Sequence, residues 1–85
     1  MTHAFMYSTA SCPFCIRAEQ LLRRHGIIVE KIHVDNDPEQ LRNMISRTGR
    51  RSVPQIYIND HHVGGYDELV AWISAGRLQP LPKVG

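Results

Sequence analysis

Ala4-Phe5-Met6-Tyr7-Ser8-Thr9-Ala10-Ser11-Cys12-Pro13-Phe14-Cys15 carries an apolar run through a loop of small residues into two cysteines separated by two positions. The run reads as a buried strand over residues 3–8, and the cysteines as the first turn of a helix. Pro13 suits that turn, where a missing N–H leaves no hydrogen bond unmade, and Ile16, Ala18, Leu21 and Leu22 continue an apolar face at near-helical spacing. Gly26 is placed to stop the helix, because glycine adopts the positive φ that helix ends often require. Two cysteines so arranged can bring their sulfurs within bonding range, and the unpaired amides of the helix end stabilise a thiolate on the first. The pair therefore reads as a redox dithiol, with Cys12 outside the helix as the attacking thiol and Cys15 within its first turn and more buried.

The elements that follow extend this start. Ile27 to Val34 is rich in β-branched residues and alternates from Val29 onward, which predicts a second strand. Strand, helix and strand in this order form a βαβ unit, whose right-handed crossover lays the helix on one face of a parallel pair. Asp37-Pro38-Glu39 offers a cap, a first-turn proline and an acidic residue for the helix dipole, predicting a second helix through Leu41, Met44 and Ile45 to Gly49. Val53 to Ile58 predicts a strand entered through Pro54. Asn59-Asp60-His61-His62 turns it back into a very short strand at Val63, closed by Gly64-Gly65. A last helix beginning near Tyr66-Asp67-Glu68 is expected to bury Leu69, Val70, Trp72 and Ile73 and to end at Gly76. The proline-interrupted tail, Leu78 to Gly85, is expected to be irregular. The resulting order, β-α-β-α-β-β-α, predicts an α/β fold with a four-stranded mixed sheet flanked by three helices.

Composition bounds the function. The 85 residues suffice for one small hydrophobic core, so residues 1–85 are read as a single domain. Apolar residues at 42% and charged residues at 21% are ordinary for a folded protein. No run approaches the roughly 18 apolar residues of a membrane span, and no basic segment with a long apolar stretch opens the chain, which makes the cytoplasm the expected location. The net charge of +2 is spread over scattered arginines, a poor match to the clustered stripe of a nucleic-acid binder. Arg50-Arg51, beside the expected active region, fits a small anionic ligand better. With 2 cysteines in all, neither a multi-bridge scaffold nor a four-cysteine zinc site can be assembled. His61-His62 offers no metal site either, since neighbouring side chains point apart and no third ligand is spaced to join them; both read as solvated turn residues. Trp72 and Tyr57 fit core or sheet positions, while Tyr7 lies close to the active-site loop.

Cys12-Pro13-Phe14-Cys15, Ser52-Val53-Pro54-Gln55 and Gly64-Gly65-Tyr66-Asp67-Glu68 together resemble the glutaredoxin family, in its order and approximate spacing, across essentially the whole chain. The resemblance implies a thioredoxin-like fold and a glutathione-dependent enzyme that reduces protein disulfides and glutathione mixed disulfides. It implies no permanently bound cofactor, with glutathione as co-substrate and the protein acting as a monomer. Residue by residue, it implies Cys12 as nucleophile and Cys15 as resolving thiol. Ser52 and Val53 match the pair whose backbone meets the cysteinyl part of glutathione, Pro54 a cis-proline, and Gly65, Tyr66, Asp67 and Glu68 the segment holding the γ-glutamyl end.

Glu68 stands where the family usually has aspartate. Phe14 replaces a commoner tyrosine, keeping the aromatic wall without its hydroxyl. Thr9 stands where many relatives carry a lysine, and Arg42 is the second-helix residue taken to meet the glycine carboxylate of glutathione. Gly64-Gly65 and Asp67 also admit plainer roles, as a tight turn and a helix cap. Two other functions fit parts of the pattern: an iron–sulfur cluster carrier, which Pro13 between the cysteines disfavours, and a glutaredoxin-like protein reduced by thioredoxin reductase.

Overall fold

The computed structural model describes residues 2–76, and the expected irregular tail lies outside them. The chain runs β1 (His3–Ser8), α1 (Pro13–Arg24), β2 (Ile28–His33), α2 (Pro38–Thr48), β3 (Gln55–Ile58), β4 (His61–Gly64) and α3 (Tyr66–Ser74). The order matches the expected one, and the strands form a single mixed sheet in the order β2-β1-β3-β4. β1 pairs parallel with β2 and antiparallel with β3, and β4 returns antiparallel to β3. The strand that opens the active-site loop is therefore central in the sheet.

Alternation along β1 distributes side chains to two cores. Ala4 and Met6 pack with Cys15, Ala18, Leu22, Ile56 and Leu69 on the face covered by α1 and α3. Tyr7 packs with Val34, Met44 and Tyr57 on the face covered by α2. The sheet is thus sandwiched between two helices and one.

Helix boundaries follow local chemistry. Pro13 and Pro38 open α1 and α2, and Asp37 Oδ1 accepts the Gln40 N–H at 3.2 Å as an N-cap. Gly49 ends α2 at φ 73°, in the left-handed region. Asn59 and Asp60 also have positive φ, 49° and 69°, the conformation a two-residue hairpin turn demands.

Several expectations shift. The β2 ladder is shorter than Ile27 to Val34, although both of those end residues are buried. β3 begins at Gln55 because Pro54 has no N–H to give to a ladder. β4 is longer than a strand at Val63 alone, and its pairing slips between Ile56 and Tyr57, leaving Val63 as a bulge. Ile16 and Val70 are exposed, at 52% and 38%, because α1 and α3 each bury a narrower stripe than their apolar sequences offer. Leu69, one position from Val70, is wholly buried.

Replacing Leu69 with alanine should therefore cost about 2–5 kcal/mol of unfolding free energy, and Val70→Ala no more than about 0.5 kcal/mol, as measured by denaturant titration.

Candidate active site

Strand β1 ends at Ser8 and the chain enters α1 across Thr9–Cys12. The loop is fixed from β2: the Val34 N–H donates to Ser8 O at 2.9 Å, and the Ala10 N–H donates to Asp35 Oδ2 at 3.1 Å. Asp35, read from sequence as a turn residue, thus anchors the active-site loop. Cys12 occupies the N-cap of α1 with extended backbone, and its sulfur accepts the Cys15 N–H at 3.1 Å. A sulfur thereby fills the place usually taken by a Ser, Thr or Asp oxygen. The Ile16 N–H donates to Cys12 O at 3.1 Å, and Pro13 has no N–H to satisfy. Across the loop, the Cys12 thiol reaches toward Val53 O at 4.0 Å.

Cys12 and Cys15 are free thiols. Cys15 is the more buried, 3% exposed against 9% for Cys12. Burial pushes the Cys15 thiol up to about 12, its hydrogen bond with Cys12 adds to the rise, and the Thr9 backbone opposes it. Such a thiol stays protonated at neutral pH.

Beside Cys12 runs a groove of about 150 Å³ lined by Phe14, Ser52, Val53, Pro54, Gly65, Tyr66 and Asp67. Three separate segments meet there. The Val53–Pro54 bond is cis, as the resemblance implied. Phe14 and Tyr66 have ring centroids 5.9 Å apart, and the Arg17 guanidinium lies over the Phe14 ring, 5.5 Å from its centroid. A larger cavity, about 640 Å³, lies on the α2 face of the sheet against Phe5, Arg47 and Tyr57 and includes neither cysteine.

The remaining sequence-predicted residues fall elsewhere. Thr9 is half-buried in the loop and does not line the groove, and Arg42 is exposed on α2, likewise outside it. Glu68 is committed to the protein: its carboxylate accepts Arg50 Nη1 and Nη2 at 2.5 and 2.9 Å, and Oε1 also accepts the Gly65 N–H at 2.8 Å. Those contacts hold its carboxyl down to about 2, the Arg50 hydrogen bonds contributing most and the Gly65 N–H next. Gly65, not Asp67, is the N-cap of α3, so the plainer role considered for Asp67 does not apply. Asp67 is exposed at the edge of the groove.

Sequence reading missed the parts played by Arg50 and Gln55. Gln55, 1% exposed, donates from Nε2 to Ser52 O at 3.0 Å, and its Oε1 lies 2.8 Å from His62 Nε2. His62 is thus half-buried and bonded, not a solvated turn residue; burial, then the charge of Arg50, lowers its pKa. Tyr7 is buried on the α2 face, where its hydroxyl accepts from Arg47 Nη1 at 3.2 Å. No group of three or more metal-binding side chains occurs among the described residues, nor any helix long and apolar enough to cross a membrane.

The sequence model of the Glutaredoxin family matches residues 4–63. The chain belongs to the glutaredoxin family. A glutaredoxin of Pseudomonas aeruginosa is 44% identical over 81 residues, covering 95% of this chain and 96% of that protein. Glutaredoxin 3 of Escherichia coli is 39% identical over 83 residues, covering 98% of this chain and 100% of that protein. Among solved structures, the Brucella melitensis glutaredoxin aligns with TM-score 0.78 at 40% identity, covering 92% of this chain and 85% of that one. A buckwheat glutaredoxin–glutathione complex aligns with TM-score 0.82 at 26% identity, covering 91% and 73%. The fold is thioredoxin-like, and membership of the family implies thiol–disulfide oxidoreductase chemistry.

Two outcomes follow from these electrostatics. Limiting iodoacetamide at pH 7 should leave Cys15 unmodified while Cys12 reacts, as read by peptide mass mapping. The carboxyl of Glu68 titrates lower in the folded chain than its ordinary 4.5, so its contribution to stability is present above that value and is lost as pH falls toward about 2. Glu68→Gln should flatten the acid limb of a Tm-against-pH profile in that interval, by a small amount because the pair is half-exposed.

Proposed function

We propose that this protein is a glutathione-dependent disulfide oxidoreductase that reduces glutathione mixed disulfides and protein disulfides through Cys12 and Cys15. The observation that carries the reading is Cys12 Sγ held at the N-terminus of α1, 4.0 Å from Val53 O beside a groove walled by Phe14, Val53 and Tyr66. The Cys15 N–H and the first-turn dipole stabilise negative charge on that sulfur, both as it attacks and as it departs.

In the one-thiol cycle, the Cys12 thiolate attacks the glutathione sulfur of a mixed disulfide. The Cys12–glutathione bond forms, the original S–S bond breaks, and the substrate leaves as a thiolate that takes a proton from water. The thiolate of a second glutathione then attacks the bound glutathione sulfur, releasing glutathione disulfide and restoring Cys12. With a protein disulfide, Cys15 instead attacks Cys12 sulfur in the mixed disulfide, expelling the reduced substrate and leaving a Cys12–Cys15 disulfide that two glutathiones reduce. Cys15 must first lose its proton, which its burial opposes.

Glutathione docks in this reading as a short added strand. Val53 offers main-chain groups to its cysteinyl unit, with Ser52 and cis Pro54 shaping that wall, and Phe14 and Tyr66 flank it. The first-turn amides of α3, from Gly65 onward, meet the γ-glutamyl carboxylate, and Asp67 its amino group. The glycine carboxylate falls toward Thr9. Arg42, exposed and outside the groove, gets no role. The protein works as a monomer, since one chain builds the whole groove, and in the cytoplasm, where a dithiol stays reduced.

Cys12→Ser should abolish deglutathionylation of a glutathionylated peptide in a coupled glutathione reductase assay, and Cys15→Ser should preserve it while removing turnover of protein disulfides. Activity surviving in Cys12→Ser would contradict the assignment.

A further inference from the structure

Two polypeptide segments form the walls of the groove beside Cys12. One is the loop from Gly49 into β3, carrying Ser52, Val53 and Pro54; the other is the turn from β4 into α3, carrying Gly65, Tyr66 and Asp67. The Arg50–Glu68 pair ties one wall to the other. Arg50 lies two residues before Ser52, and Glu68 follows Asp67 in the first turn of α3.

Each end of the pair is fixed. The Arg50 N–H donates to Thr48 Oγ1 at 3.0 Å, and that hydroxyl donates in turn to Met44 O at 2.7 Å, which ties the Arg50 backbone to the last turn of α2. At the other end the Glu68 carboxylate accepts the Gly65 N–H at 2.8 Å, which ties it to the start of α3. Between them the guanidinium meets the carboxylate with two parallel bonds, a geometry that fixes orientation as well as distance. Gly64 completes the seat. A Cβ there would collide with the Glu68 carboxylate, so the absence of a side chain at position 64 makes room for the pair.

We propose that Arg50 and Glu68 are positioning residues that set the width of the groove and so govern affinity for the γ-glutamyl end of glutathione, without touching the reacting sulfurs. The inference rests on the functional reading above and refines it. Engaged with Arg50 and Gly65, the Glu68 carboxylate does not meet the ligand amino group, and Asp67 alone takes that contact. The two side chains are 43% and 44% exposed, so the pair adds little to global stability, and its effect belongs in binding.

The test is steady-state kinetics of the full chain with a glutathionylated peptide and glutathione, for Arg50→Ala, Glu68→Gln and the double variant. KM for the glutathionylated peptide should rise about tenfold in each single variant, less than the hundredfold a 1 Å misplacement can cost, with kcat changing less than about twofold. The double variant should be no worse than either single one, because both break the same contact. Arg50→Lys should recover part of the loss. The rate of Cys12 alkylation by iodoacetamide, which needs no groove, should stay at the wild-type value. An unchanged KM in Arg50→Ala overturns the clamp. So does a fall in the alkylation rate in step with the rise in KM, which would mark a general loss of structure. Wild-type protein that glutathione cannot turn over overturns the functional reading itself, and is told apart by failing before any variant is made.

Discussion

The hydrogen bond from the Cys15 N–H to Cys12 Sγ is the constraint on which the site depends. It makes a sulfur the N-cap of α1, so the end of the helix and the position of the thiol are settled by one contact. Everything around it serves that placement. β1, central in the sheet, brings the chain to the loop; Asp35 and Val34 hold the loop to the end of β2; Pro13 begins the helix without leaving an amide unsatisfied. The pair of cysteines is thereby divided into unlike partners. One caps the helix beside a groove, and the other is buried beneath it and held protonated.

In the proposed cycle, this division suits the two sulfurs to different roles. The attacking sulfur needs amide donors and access, which the helix end and the groove provide. The resolving sulfur needs to stay unreactive until a mixed disulfide has formed, which burial provides.

Much of this was legible in the chain, because helix ends and turns are set by local chemistry. Pro13, Pro38, Asp37 and Gly49 mark boundaries that the structure keeps, and Asn59-Asp60 marks the hairpin. Phe14, Val53, Pro54, Gly65 and Asp67 belong to the three motifs and meet around one groove, with Cys12 Sγ 4.0 Å from Val53 O at its side. What escaped was non-local. The Arg50–Glu68 contact spans 18 positions between two loops, and nothing in either segment names the other. Val70 is apolar at a plausible spacing yet exposed, since periodicity tells which residues share a helix face, not how much of that face a narrow sheet covers.

The central claim is that a glutathione joined to Cys12 lies along the groove between Val53 and the start of α3. NMR of the Cys15→Ser variant carrying one glutathione on Cys12 tests it directly. The account predicts intermolecular NOEs from the glutathione protons to Val53, Tyr66 and Asp67. An adduct that forms in full yet shows no contact with any of the three would contradict it.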